Sequence, residues 1–219
     1  IAQRLAELPL AIPVLSEEDV AAFPGPDAQG RYWLVDPLDG TKEFIKRNGE
    51  FTVNIALIEN GYPVAGVVHA PVLDVTYFAS RGLGAHKQVG KQAAQPMRCS
   101  GPTGGQPWRV VGSRSHAGDS LAAFLARLGD HTLVSMGSSL KFCLVAEGSA
   151  DLYPRLGPTS LWDTAAAQCV VEQAGGQVLR LDGKRLCYAN PSVTLNPSFI
   201  VTAPAGIDWR TYFPDEPGV

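Results

Sequence analysis

The sequence predicts an α/β fold, α+β in its first half and α/β in its second, from two observations. Residues 51–79 read as short β-rich runs joined by turns. From residue 109 onward strand-like and helix-like patterns alternate instead, the signature of sheets covered by helices.

The chain opens on what reads as the tail of an amphipathic helix (Ile1, Leu5, Leu8), ended by Pro9 and Pro13. Because it starts there without Met, further residues are expected upstream. Val14-Leu15 leads into Ser16-Glu17-Glu18-Asp19, which fits either an exposed helix start capped by Ser16 or an inward-turned Glu17 acting as a metal ligand. A Pro/Gly-rich connection, residues 23–30, delivers the chain to a strand at 32–35. That strand is expected to end in a turn at Asp36-Pro37-Leu38-Asp39-Gly40-Thr41, since Pro37 cannot extend a ladder and Gly40 tolerates unusual angles. Residues 51–58 form the next strand, Asn60-Gly61 a hairpin turn and 64–68 its partner, with 74–79 continuing the antiparallel run. The polar, glycine-rich residues 87–107 read as a connection, and a boundary near residue 105 divides the chain into 1–105 and 106–219.

In the second half, 109–112 is a short strand, and Ser113-Arg114-Ser115-His116 opens a helix with Leu121, Phe124, Leu125 and Leu128 at helical spacing before Gly129. A strand at 132–135 precedes a helix at 140–147, opened by Gly137-Ser138-Ser139 and stopped by Gly148. A strand at 151–154 is followed by Trp162-Asp163-Thr164, which starts a helix ended by Gly175-Gly176. A hairpin about Asp182-Gly183, a last strand at 199–202 and a frayed tail from Pro214 complete the reading.

Composition narrows the partners. A net charge of −3 gives no electrostatic footprint for a nucleic-acid polymer or an anionic membrane. An anionic ligand must then be drawn by a local device such as a metal ion or a few placed cations, and a small phosphate ester fits. No apolar run is long enough to span a membrane. The four cysteines form no Cys-x-x-Cys pair, so neither a zinc ribbon nor a dithiol site is indicated, and a reducing cytoplasm is the natural setting. His69, His86 and His131 are isolated and read as structural or surface residues.

Chemistry concentrates in four acids from three separated segments: Glu17, Asp36 with Asp39, and Asp163. Each stands at the edge of an expected element, as a convergent site requires. Hard carboxylate oxygens suit Mg²⁺, which accepts one or two protein carboxylates and leaves positions for water and phosphate. The Gly40 and Thr41 amides offer a seat for a phosphate oxygen. Asp163 also fits a helix cap, and such an end welcomes phosphate as well. Ser113, Ser115, His116, Ser138, Ser139, Lys141 and Arg155 are candidates to hold a second phosphate, with capping and solvated surface as the alternative. Lys42, Lys46 and Arg47 read as a solvated face.

Trp33-Leu34-Val35-Asp36-Pro37-Leu38-Asp39-Gly40-Thr41, Leu161-Trp162-Asp163-Thr164-Ala165-Ala166 and Ser16-Glu17-Glu18 resemble, in order, the acidic motifs of the inositol monophosphatase superfamily of Mg²⁺-dependent, Li⁺-sensitive phosphatases. Thr41-Lys42-Glu43-Phe44-Ile45, Asn48-Gly49-Glu50-Phe51-Thr52-Val53-Asn54 and Gly137-Ser138-Ser139-Leu140-Lys141-Phe142-Cys143 resemble its bacterial CysQ-type 3′(2′),5′-bisphosphate nucleotidase branch. The resemblance implies a layered α-β-α-β-α sandwich and two or three Mg²⁺ ions. One would be bound by Glu17, Asp36 and the Leu38 carbonyl, another by Asp36, Asp39 and Asp163. Gly40 and Thr41 amides would hold phosphate, the Thr41 hydroxyl would orient the attacking water, and Asp36 and Asp39 would act with it in catalysis. Glu17, Leu38, Asp39 and Asp163 would face the substrate beside the serines, His116, Lys141 and Arg155. It further implies hydrolysis of the 3′-phosphate of 3′-phosphoadenosine 5′-phosphate, with its sulfated precursor as a second substrate, in sulfate assimilation. An inositol or sugar phosphatase, or a metal- and phosphate-binding protein without turnover, is the alternative. A cytoplasmic monomer or weak dimer, peripheral to the inner membrane in one variant, is expected. The family's upstream Thr-x-Ala-Asp-like motif, whose aspartate helps to orient the water, has no counterpart in these 219 residues.

Overall fold

The computed structural model describes residues 1–102, 105–112, 119–203 and 206–213. After a short helix α1 (Ala2–Ala6), strands β1 (Val14–Ser16), β2 (Arg31–Asp39), β3 (Thr52–Glu59), β4 (Tyr62–Ala70), β5 (Val75–Ser80), β6 (Gly84–Val89) and β7 (Gln95–Met97) form a seven-stranded sheet in sequential order. Only the β1–β2 pair is parallel. A helix α2 (Thr41–Lys46) interrupts the run between β2 and β3. The second sheet holds β8 (Trp108–Gly112), β9 (His131–Ser135), β10 (Leu152–Arg155), β11 (Gln177–Arg180) and β12 (Phe199–Thr202), in the order β11-β12-β10-β8-β9. Helices α4 (Leu140–Ala146) and α5 (Ala165–Gln173) lie between the sheets: α5 packs on β3, β4 and β5, and α4 on β8, β10 and β12. Helix α3 (Asp119–Leu128) shares a second apolar cluster with Val110, Leu152, Ile200 and Trp209.

Local sequence explains most of these elements. β3 buries Thr52, Asn54, Ala56 and Ile58 and leaves the intervening residues half-exposed, the period of two expected of a strand with one covered face. Asn60 and Gly61, both at positive φ, make the hairpin turn to β4. Seven consecutive residues of α5, Ala165 to Val171, are buried, so this helix lacks a polar stripe because both sheets cover it. Gly66 on β4 lets it approach: a Cβ there would lie 2.4 Å from the Ala166 carbonyl oxygen.

Three sequence expectations change. Residues 87–107 are not merely a connection, because β6 and β7 extend the first sheet through part of them. The polar look of β6 comes from Lys87, which faces inward and is neutralised by Glu147 at 2.6 Å, with Tyr77 also donating to that carboxylate. The turn after Val35 is instead a bulge within β2, and α2 follows it. Ser16 makes no side-chain cap, and Glu17–Ala22 is a 3-10 segment rather than an α-helix start. The Ser113–His116 helix opening and the 214–219 tail lie outside the described residues. We propose 1–105 and 106–219 as the two units; the sheets divide between Met97 and Trp108, while one apolar core joins Leu15 to Val201.

The Gly66 contact yields a test. Gly66→Ala forces backbone apart at the β4–α5 contact and is expected to destabilise by at least about 1–3 kcal/mol, read as a lower denaturant midpoint at unchanged slope.

Candidate active site

Asp36 and Asp39 are three apart, so on a regular strand they would point to opposite faces. The structure pairs Asp36 with Asn54 and Asp39 with Thr52, so Pro37 and Leu38 together oppose Val53 alone. This extra residue is a β-bulge, and it turns both carboxylates to the same face. Leu38 N donates to Asp36 Oδ1 at 2.9 Å, fixing the bulge. Asp163 arrives from the other side, in a 3-10 turn (Leu161–Asp163) ahead of α5. Ser160 N donates to its Oδ2 at 2.7 Å in a capping box, so Asp163 caps the turn and also joins the cluster.

Asp36, Asp39 and Asp163 each offer a carboxylate oxygen within 4.8 Å of the others. Asp36 is 1% exposed, and its Oδ2 has no hydrogen-bond partner among the described residues. Burial first, then the charges of Asp39 and Glu17, pushes Asp36 up to about 9. Burial and Asp39 push Asp163 up to about 7. An orphaned buried carboxylate oxygen within three convergent hard donors fits a divalent cation such as Mg²⁺. Glu17 is exposed and stands outside the triad, although its charge reaches both Asp36 and Asp163.

Two members of the triad, Asp39 and Asp163, line a cavity of about 160 Å³. Asp39, Gly40, Glu43, Glu50, Ser138, Ser139, Lys141, Tyr153, Arg155 and Asp163 line it. Gly40, at φ 89°, caps α2, and Thr41 is exposed in that helix's first turn. Ser138, at φ 42°, donates to the Glu50 carbonyl at 2.8 Å, and Gly137 N donates to the Glu50 carboxylate at 2.7 Å. Lys141 is half-buried with its ammonium 5.6 Å from the Tyr153 ring centroid; burial holds its pKa below the usual lysine value. Arg155 donates to the carbonyls of Gly157 and Pro158 at the rim. Ser115 and His116 lie outside the described residues.

Ser139, expected as a substrate contact, lines the cavity and is 2% exposed, with its side chain turned onto Asp39. Thr52, Asn54, Glu43 and Glu50 were not singled out as site residues. For Thr52 and Asn54 a signal existed, two polar side chains at inward positions of an otherwise apolar strand. His69 pairs with Thr76, His86 stacks on Phe78, and Cys143 and Cys169 are buried free thiols.

Fold and site together define an α/β sandwich whose converging aspartates suit a hard cation beside an anionic ligand. The profile of the Inositol monophosphatase family matches residues 1–206, and the chain belongs to this family of metal-dependent phosphatases. It is 54% identical over 202 residues to the 3′(2′),5′-bisphosphate nucleotidase CysQ of Salmonella typhimurium, covering 92% of this chain and 80% of that protein. With the enzyme of the same name from Escherichia coli K12 it shares 53% over 191 residues, 87% and 76% of the two chains. Among solved structures, CysQ of Bacteroides thetaiotaomicron superposes with a TM-score of 0.78 at 42% identity, over 91% of this chain and 79% of that one. Mycobacterium tuberculosis SuhB gives 0.71 at 28%, over 93% and 75%.

The raised carboxylates fix a pH dependence. Asp36 and Asp163 bind protons more tightly folded than unfolded, where their pKa is near 3.8. Stability contributed by their protonation is therefore complete below about pH 4 and is lost as pH rises toward about 7 for Asp163 and about 9 for Asp36. In EDTA the melting temperature is expected to fall from pH 5 to pH 8, and Mg²⁺ to raise it more at pH 8 than at pH 5. Asp36→Asn should flatten both trends in a thermal-shift titration.

Proposed function

We propose that the protein is a Mg²⁺-dependent 3′(2′),5′-bisphosphate nucleotidase that releases the 3′-phosphate of 3′-phosphoadenosine 5′-phosphate, giving AMP and phosphate, and accepts the sulfated nucleotide as a second substrate. One observation carries this reading: Asp39 and Asp163 of the carboxylate triad line one cavity together with Lys141 and Arg155. A ligand with two phosphates has one group to place at a cation and another at the basic side chains; a monophosphate uses only the first. The nucleotidases of Salmonella and Escherichia, similar along most of their length, support the choice.

Asp36, Asp39 and Asp163, with Glu17 and the Leu38 carbonyl, would hold two Mg²⁺ ions. Such ions, when bound, lower the pKa of a water and stabilise charge on the leaving oxygen of an in-line displacement. The protein's own groups do the rest. The Gly40 and Thr41 amides orient the phosphate, and the Thr41 hydroxyl positions the water's proton. Lys141, its ammonium weakly solvated against Tyr153, and Arg155 hold the distal phosphate, with Ser138 beside them in the cavity lining. The proposed setting is the cytoplasm, in sulfate assimilation, with the protein a monomer or weak dimer. No described helix is long and apolar enough to cross a membrane.

The deciding assay compares Mg²⁺-dependent phosphate release from 3′-phosphoadenosine 5′-phosphate and inositol 1-phosphate. Strong preference for the nucleotide supports the proposal, and preference for the inositol ester overturns the substrate. Asp36→Asn is expected to abolish turnover. Lys141→Ala should raise KM for the bisphosphate with kcat nearly unchanged, the pattern of a lost uniform binding contact.

A further inference from the structure

Asp39 uses its two carboxylate oxygens unequally. Its Oδ2 accepts from Ser139 N at 2.6 Å, Ser139 Oγ at 2.7 Å, Thr52 Oγ1 at 3.1 Å and Asn54 Nδ2 at 3.3 Å. These contacts crowd one oxygen, with the single Ser139 hydroxyl proton shared between Asp39 Oδ2 and the Asp163 carbonyl, whereas Oδ1 takes no hydrogen bond among the described residues. The donors reinforce one another: Asn54 Nδ2 also donates to Ser139 Oγ at 2.9 Å, and that hydroxyl lies 2.6 Å from the Asp163 carbonyl oxygen. Thr52, Asn54 and Ser139 are 0, 1 and 2% exposed, and neither Thr52 nor Asn54 lines the cavity. They also come from both sides of the cleft, Thr52 and Asn54 from β3 and Ser139 from the entrance to α4.

We infer that Thr52, Asn54 and Ser139 are positioning residues for Asp39: they lock Oδ2 and leave Oδ1 as the oxygen presented to a cation held by the triad. The inference rests on the metal-dependent reading above and deepens it, and it moves Ser139 from substrate binding to orientation of a metal ligand. The physical gain is preorganisation. A carboxylate already fixed by hydrogen bonds loses little rotational freedom when it takes an ion, and partners of this kind are typically worth about 10–100-fold in metal affinity.

Binding of Mn²⁺ alone, followed by the electron paramagnetic resonance of the free ion, tests this without turnover. Thr52→Val, nearly isosteric but without the hydroxyl, and Ser139→Ala, which keeps the amide donor, are each expected to weaken Mn²⁺ binding about 10–100-fold. Thr52→Ser retains the donor and is expected to bind like the unaltered protein. Equal Mn²⁺ affinity in Thr52→Val, Ser139→Ala and the unaltered protein would overturn the assignment, leaving the metal-dependent reading intact. So would equal weakening in Thr52→Ser and Thr52→Val, because packing rather than the hydrogen bond would then be responsible. If the unaltered protein itself binds no Mn²⁺, the underlying reading falls and this inference with it.

Discussion

Mutual repulsion among Asp36, Asp39 and Asp163 is the constraint around which the molecule is arranged. Three carboxylates whose oxygens approach within 4.8 Å, one of them buried, are costly without protons or a cation to share. Each is therefore restrained by a different local device. Asp36 is held by the backbone of its own bulge, Asp163 by a capping box, and Asp39 by donors from β3 and α4. The unmatched Oδ2 of Asp36 shows what these restraints do not supply, namely the positive charge itself.

The fold serves that arrangement by bringing together segments distant in sequence. β2 delivers two of the aspartates from the first sheet, while the turn before α5 delivers the third from the layer between the sheets. Because α5 packs tightly on β4 through Gly66, the position of Asp163 relative to β2 is set by backbone contact rather than by flexible side chains. The entrance to α4 is fixed in the same way. Gly137 has no room for a side chain, since a Cβ there would lie 2.7 Å from Glu43 Cγ, and the Glu50 carboxylate takes its amide. At the other end of α4, Glu147 binds Lys87 and Tyr77 of the first sheet. The helix is thus anchored at both ends to the sheet that carries the aspartates.

The cavity carries charges of both signs. Asp39, Asp163, Glu43 and Glu50 line it together with Lys42, Lys141 and Arg155. Burial disfavours the charged form of Lys141, and the carboxylates of Asp39 and Glu43 partly counter it. A ligand with two phosphate groups can place one at a cation held by the aspartates and the other at Lys141 and Arg155, which is the physical basis for favouring a bisphosphate.

Much of this was legible in the residues themselves. Alternation fixed β3 and the central part of β4, helical spacing found α3, α4 and α5, and the run Asp36 to Thr41 marked the chemistry before any coordinate. What stayed hidden depends on contacts between distant segments. β6 looks polar until Lys87 meets Glu147, sixty residues away in sequence. The bulge at Pro37 and Leu38 looks like a turn until β3 is laid beside it. The tie between Ser139 and Asp39, one hundred residues earlier, is invisible until folding brings the Ser139 amide and hydroxyl onto that carboxylate. The sequence by itself determined which elements form and which side chains carry charge, because periodicity and residue chemistry are local. Only the tertiary structure decided which carboxylate oxygen is locked and which is left free, because hydrogen-bond partnership is settled by segments that meet only on folding.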